Sequence, residues 1–320
     1  MIARLLFAAA LLTLPLAAHA QDRIVLLGTA GGPPAHVDRS QPATVLEVDG
    51  HRYLIDAGEN AGQQLVRAGV PVRDVAATFL THLHWDHVLG LDYLMATGWM
   101  TGRNAPMPIW GPPGTARLIA SETAALAEGE DIFRPQSPER PPLASLYPAH
   151  EATVGDTPRE TYRDETVRVT AAANTHFAVV HAAAHDYGTD FSYSYRFDSK
   201  AGSVVFTGDT GPSPAVASLA KGADVLVTEV CDLASIRAAL TKTQGPDKLD
   251  LLVRHMAEQH LSPEEVGKLA ATAGVRKVVL THFVAGPGFD PQSMLPAIRA
   301  SFKGEIVIGS DLAVIPLGGE

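Results

Sequence analysis

The chain has 320 residues, with 35 acidic against 25 basic, 46% hydrophobic residues and a single cysteine. That apolar content excludes a disordered chain, and one cysteine excludes a disulfide scaffold. The formal net charge of −10 argues against a general nucleic-acid binder, which needs clustered Lys and Arg.

Residues 1–20 read as a secretory signal. Arg4 supplies the positive start, 5–16 the short apolar stretch, and Ala18-His19-Ala20 a cleavage site of the A-x-A type. The run is too short to span a bilayer. Gln21 follows the site where a lipid-anchored end would need Cys. The expectation is a periplasmic or secreted protein cleaved after Ala20, with no membrane segment after cleavage.

Short β-branched runs at 23–28, 44–48, 53–55 and 75–80 predict strands, and 62–68 predicts a helix. Residues 98–165 are rich in Pro and Gly and weakly periodic, with one helix pattern at 114–127. They predict an insertion or a lid. Strand runs resume at 166–171, 191–197, 203–206 and 224–228, with a helix at 213–220. Cys231 has no partner and reads as a buried small hydrophobe. Ser262-Pro263-Glu264-Glu265 is a helix start, with a capping Ser, a first-turn Pro and a capping-box Glu. The helix runs over 263–273, and Gly274 stops it. Strands at 277–280 and 305–308 close the chain. The alternation predicts one α/β layered domain over 21–320. A homodimer is compatible with the sequence.

Among thirteen histidines, spacing singles out His82-Leu83-His84-Trp85-Asp86-His87. Three imidazoles and a carboxylate fall within six positions just after a strand. His176, Asp209 and His282 each follow a strand too, so four strand ends can converge on one rim. Imidazole and carboxylate suit zinc or a similar divalent ion, and five His with two Asp can hold two. Each residue alone would be an ordinary turn residue; the dense motif raises the prior for all. His181 and His185 follow His176 closely, and either could replace it. His260 stands just before the capped helix. An imidazole beside a helix N-terminus can protonate an anionic leaving group.

These residues resemble the metallo-β-lactamase superfamily of dinuclear hydrolases, in its ribonuclease Z and arylsulfatase-like branch. The likeness also takes in Leu27-Gly28-Thr29-Ala30-Gly31-Gly32-Pro33 and Tyr53-Leu54-Ile55-Asp56-Ala57-Gly58, and it ends near Asp311. It implies an αββα sandwich with two mixed sheets flanked by helices. It implies that His82, His84 and His176 hold one metal, that Asp86, His87 and His282 hold the other, and that Asp209 bridges them. The Asn174-Thr175-His176 context favours His176 over His181 and His185. It also makes His260 a proton donor and Asp86 an orienting group for the nucleophile. The ions implied are two Zn²⁺, with Mn²⁺ or Fe²⁺ as alternatives.

The expected activity is hydrolysis of a phosphodiester or sulfate ester by a hydroxide shared between two ions. The alternatives are a lactone or β-lactam hydrolase, or a metal-binding protein without turnover. Residues 98–165 hold six Arg, no Lys and ten acidic residues, a balance that repels an RNA backbone. The expected partner is therefore a small-molecule ester and no nucleic acid. Trp85 is bulkier than the small residues usual within this motif and either lines the pocket or packs beneath the loop. Asp56 reads as a structural turn carboxylate or as a partner supporting the metal ligands, with the structural reading favoured.

Overall fold

The computed structural model describes residues 22–180 and 185–318. The expected signal at 1–20 and His181 lie outside the described residues.

The first half of the chain runs β1 (Arg23–Gly28), β2 (Ala43–Val48), β3 (His51–Ile55), α1 (Ala61–Arg67), β4 (Ala77–Phe79), α2 (Trp85–Val88) and α3 (Leu91–Met100). It continues through β5 (Ile109–Gly111), α4 (Thr115–Phe133), α5 (Leu143–Leu146), β6 (Ala149–Glu151) and β7 (Arg159–Arg163). The second half runs β8 (Val167–Ala173), β9 (Tyr193–Ser199), β10 (Gly202–Phe206), α6 (Pro214–Leu219), β11 (Val225–Cys231), α7 (Leu233–Leu240) and α8 (Pro246–Gln259). It ends with α9 (Pro263–Ala273), β12 (Lys277–Val284), α10 (Leu295–Ser301), β13 (Glu305–Ile308) and β14 (Val314–Pro316).

Two sheets of seven strands result, in the orders β14-β1-β2-β3-β4-β5-β6 and β13-β12-β11-β10-β9-β8-β7. Their facing sides share one core. Phe79 meets Phe197 edge-on at 5.1 Å and Tyr195 at 5.7 Å, the geometry aromatic quadrupoles favour. Outside the first sheet lie α1 and α3, packed through Leu65, Leu91, Leu94 and Trp99. Outside the second lie α6, α9 and α10, packed through Val216, Val266 and Ile298. The molecule is an αββα sandwich. Central strands such as β2 and β11 are buried along their whole length, because helices cover one face and the other sheet covers the second.

The capped helix forms as its sequence directs. Ser262 Oγ accepts from the Glu265 backbone N–H, and Gly274 ends α9 at φ 68°. The Glu265 carboxylate takes Lys268 Nζ at 2.6 Å, so the cap is one-sided.

Residues 98–165 contribute β5 and β6 to the end of the first sheet, β7 to the edge of the second, and α4 and α5 outside. Arg103 ties the start of this stretch inward, donating to the carbonyls of Val75 at 2.6 Å and Val72 at 3.3 Å. β5 and β6 are three residues each, too short to show a period.

One irregularity matters for the site. Between β11 and β12, Thr228 faces Leu280 and Val230 faces Phe283. Glu229 alone therefore stands opposite two residues, Thr281 and His282. His282 takes φ 43° there, a conformation that costs a non-glycine residue energy.

Candidate metal centre

The expected strand ends do converge. His82, His84, Asp86 and His87 follow β4 of the first sheet. His176 follows β8, Asp209 follows β10 and His282 lies in β12, all of the second sheet. Every one of these side chains except His84 is buried.

They fall into two groups of donor atoms. In the first, His84 Nδ1 lies 3.0 Å from His82 Nε2 and 3.2 Å from His176 Nε2. In the second, His87 Nε2 and His282 Nε2 are 3.2 Å apart. Asp86 Oδ2 is 3.6 Å from the first and 3.5 Å from the second. Asp209 Oδ1 is 3.4 Å from His87 Nε2 and 3.2 Å from His282 Nε2. Ligands set tetrahedrally around zinc at its usual bond lengths stand about 3.3 Å from one another. The donors are therefore spaced as the corners of coordination shells. Asp209 Oδ1 has no hydrogen-bond partner among the described residues. A buried carboxylate oxygen of that kind calls for a cation. The donor set fits divalent ions.

The supporting shell is equally specific. His87 Nδ1 meets Asp56 Oδ2 at 2.8 Å, which fixes Nδ1 as the protonated nitrogen and frees Nε2 for a metal. Asp56 also accepts from the Thr81 backbone N–H at 2.8 Å and from Thr81 Oγ1. It holds φ 57° to do so. Its role thus goes beyond the turn. His176 Nδ1 is similarly aimed at the carbonyl of Gln259, 3.0 Å away. Two glycines let the metal loop sit close. A Cβ on Gly90 would lie 2.1 Å from the Gly58 carbonyl, and one on Gly58 would lie 2.2 Å from the Asp86 carbonyl.

Charge sorts the groups. Burial lowers His82, and lowers His176 to about 4, so both present neutral nitrogens. Burial also opposes charge on His87, but Asp209 and Asp56 overcome it and hold that imidazole well above its ordinary value, so a metal at Nε2 would take the place of a proton there. Burial would raise Asp209, yet His282 and His87 hold it well below the carboxylate range.

His260 lies between α8 and α9, buried beside the centre. Its Nδ1 meets Glu229 Oε2 at 2.6 Å, while Glu229 Oε1 accepts from the Thr210 backbone N–H at 2.6 Å. Burial alone would lower His260; the Glu229 carboxylate prevails and holds it up to about 9. With Nδ1 committed, Nε2 is the nitrogen free for chemistry. Glu229 went unnoticed in the sequence because it interrupts an apolar strand run without any motif around it. His185 is elsewhere, its Nε2 3.3 Å from Asp190 and its ring stacked on Tyr187.

An αββα sandwich with two His/Asp donor groups between its sheets defines a dinuclear metal-dependent hydrolase. A family model described as "Beta-lactamase superfamily domain" matches residues 51–283. Ribonuclease Z of Mycobacterium bovis is 33% identical over 295 residues, covering 90% of this chain and 96% of that one. Among solved structures, the metallo-beta-lactamase fold protein YhfI from Bacillus subtilis aligns with TM-score 0.66 at 18% identity, covering 92% and 99% of the two chains. Human tRNase Z, short form, aligns with TM-score 0.64 at 20% identity with the same coverage. The chain belongs to the metallo-β-lactamase superfamily, in its ribonuclease Z branch.

Two of these relatives overturn one expectation, that of a small-molecule ester and no nucleic acid, because by name they are a ribonuclease Z and a tRNase Z. The charge count behind that expectation runs over the segment, not over a binding face. Of the six Arg and ten acids of 98–165, Arg103, Arg134 and Arg140 donate to backbone carbonyls of the fold and three acids accept from it. Glu151 accepts from the backbone N–H groups of Gly114 and Ala116, Asp164 from Tyr53, Tyr162 and two backbone N–H groups, and Glu130 from Leu143 N. Formal charge in a segment is not charge on a binding face.

Proposed function

We propose that the chain hydrolyses a phosphodiester bond in RNA, with His82, His84 and His176 holding one divalent ion, Asp86, His87 and His282 a second, and Asp209 shared between them. Zinc suits the His-rich set best. The ions, when bound, supply Lewis-acid charge and a nucleophile at neutral pH. The chain supplies the rest. Asp56 keeps the His87 tautomer fixed, and Asp86 orients the attacking group as well as binding metal. His260 holds a proton on Nε2 for the leaving oxygen, and Glu229 keeps that ring charged and aimed.

The observation that carries this reading is the buried His260–Glu229 pair at 2.6 Å beside the donor groups. Carbonyl chemistry on a lactone has no need of it; expulsion of a ribose alkoxide does. The test is hydrolysis of a structured RNA with a 3′ extension, alongside a matched bis-aryl phosphate and aryl sulfate, by metal-loaded wild type and His260→Ala. The expected result is cleavage of RNA and of the phosphate. The variant should lose RNA cleavage by about 10²–10⁴-fold and the activated aryl ester by much less. Equal losses on both, or turnover of the sulfate alone, would overturn the reading.

We also propose that residues 1–20 direct export. Protein recovered from the periplasm beginning at Gln21 would agree; a chain retained in the cytoplasm with its first residues intact would not.

A further inference from the structure

Trp85 stands between His84 and Asp86 as the first residue of α2. Its indole is 70% exposed, whereas Trp99 is 2% exposed and Trp110 lies stacked on His150 at 4.4 Å. Large aromatic surface left in water at a rigid position earns no packing energy. The ring lines a cavity of about 330 Å³ with Pro33, Leu83, His84 and Asp86. The apolar Pro33 and Leu83 line it together with two donor residues of the centre, His84 and Asp86. His84 is the exposed member of its donor group, so the cavity lies where the centre opens to solvent. His260, by contrast, is 8% exposed.

We infer that Trp85 is a stacking platform for the nucleobase next to the scissile phosphate, and thus a specificity-determining residue. This rests on the phosphodiesterase reading above. A phosphate held at the donor groups places its own nucleoside within a few ångströms of the cavity they wall. Base-on-indole stacking tolerates any base, because every base has a π-face. The short α2 helix fixes the backbone of Trp85 between two ligands, so the ring is presented without loss of loop entropy.

Two measurements test this. The first is quenching of tryptophan emission by adenosine monophosphate against ribose 5-phosphate, which carries the same phosphate and no base. Trp85 is the exposed fluorophore of the three. The nucleotide should quench and bind on the order of tenfold more tightly than the sugar phosphate, and Trp85→Ala should abolish the quenching. The second compares uridine 5′-(p-nitrophenyl phosphate) with methyl p-nitrophenyl phosphate, which share the bond broken and the leaving group. Trp85→Ala should lower the kcat/KM ratio of the nucleoside ester to the methyl ester by on the order of tenfold, through KM, and Trp85→Phe should restore most of it. Equal binding of the two phosphates, or an unchanged ratio, overturns the platform. If wild type cleaves neither ester, the phosphodiesterase reading fails, and the quenching comparison still decides whether Trp85 stacks a base.

Discussion

Replacing Asp56 by Asn tests the logic of the centre with the smallest change. The two residues have the same shape, and Asn tolerates the left-handed backbone at φ 57°. The carboxylate accepts from Thr81 N at 2.8 Å and meets His87 Nδ1 at 2.8 Å. An amide has one acceptor oxygen for these two donors. If that oxygen serves Thr81, the amide NH₂ faces His87 Nδ1. The imidazole must then either leave a buried donor unpaired or move its proton to Nε2, the nitrogen needed for metal. Loss of such a partner costs about 10–100-fold in metal affinity, or about 1.4–2.7 kcal/mol. The assay is competition with a chromophoric chelator, resolving the two ions, with circular dichroism to confirm folding. One ion should weaken by that factor, while the ion at His82, His84 and His176 holds. Two ions bound as tightly as in wild type would refute the tautomer argument.

Other outcomes follow from the same geometry. Asp209→Ala removes the carboxylate shared by the donor groups, so metal analysis should show fewer than two ions per chain and RNA cleavage should be lost. Glu229→Gln removes the charge that holds His260 up to about 9, so the alkaline limb of the kcat/KM profile should move to lower pH. The sign in stability is set by a raised imidazole. In chelator-treated protein, the Glu229–His260 contribution is present near pH 6.5 and is lost as pH rises through about 9; on the acid side it ends where Glu229, raised by burial, takes up a proton. The difference in thermal stability between wild type and Glu229→Gln should shrink across that window. Gly90→Ala drives a Cβ to 2.1 Å from the Gly58 carbonyl. Denaturant titration should show a loss of about 1–3 kcal/mol, with weaker metal binding because His87 shifts.

The parts of the centre that could be read in the sequence are those carried by local pattern. The six-residue motif, the strand runs before Asp209 and His282, and the cap at Ser262 all sit within a few residues of the feature that marks them. Strands at 23–28 and 305–308 and the helix at 263–273 form with the expected bounds. What escaped depends on register between distant segments. Glu229 reads as a lone acid in an apolar strand until β11 lies beside the loop carrying His260, 31 residues on. For Asp56 the sequence offers both a turn and a supporting role, and the choice between them needs His87, also 31 residues on, pointing at it. The helix α8 carries the apolar stripe Leu249, Leu252, Val253 and Met256 at helical spacing, yet only Leu249 of its fourteen residues is buried. Three-residue strands in 98–165 pair in a sheet whose order no local window contains.

The two-against-one pairing of β11 and β12 gives the centre a vulnerability to chain length as distinct from residue identity. Glu229 and His282 are both delivered by that bulge, so a single-residue deletion between Leu280 and Phe283 would let the two strands run in even register. The sheet would gain regularity and shed a strained dihedral, while the last imidazole would lose its aim. Such a shortened chain would keep its strand pairing and be unable to hold its second ion. A descendant drifting toward a scaffolding role could take that path in one step, and its intact six-residue motif would still advertise a chemistry it had given up.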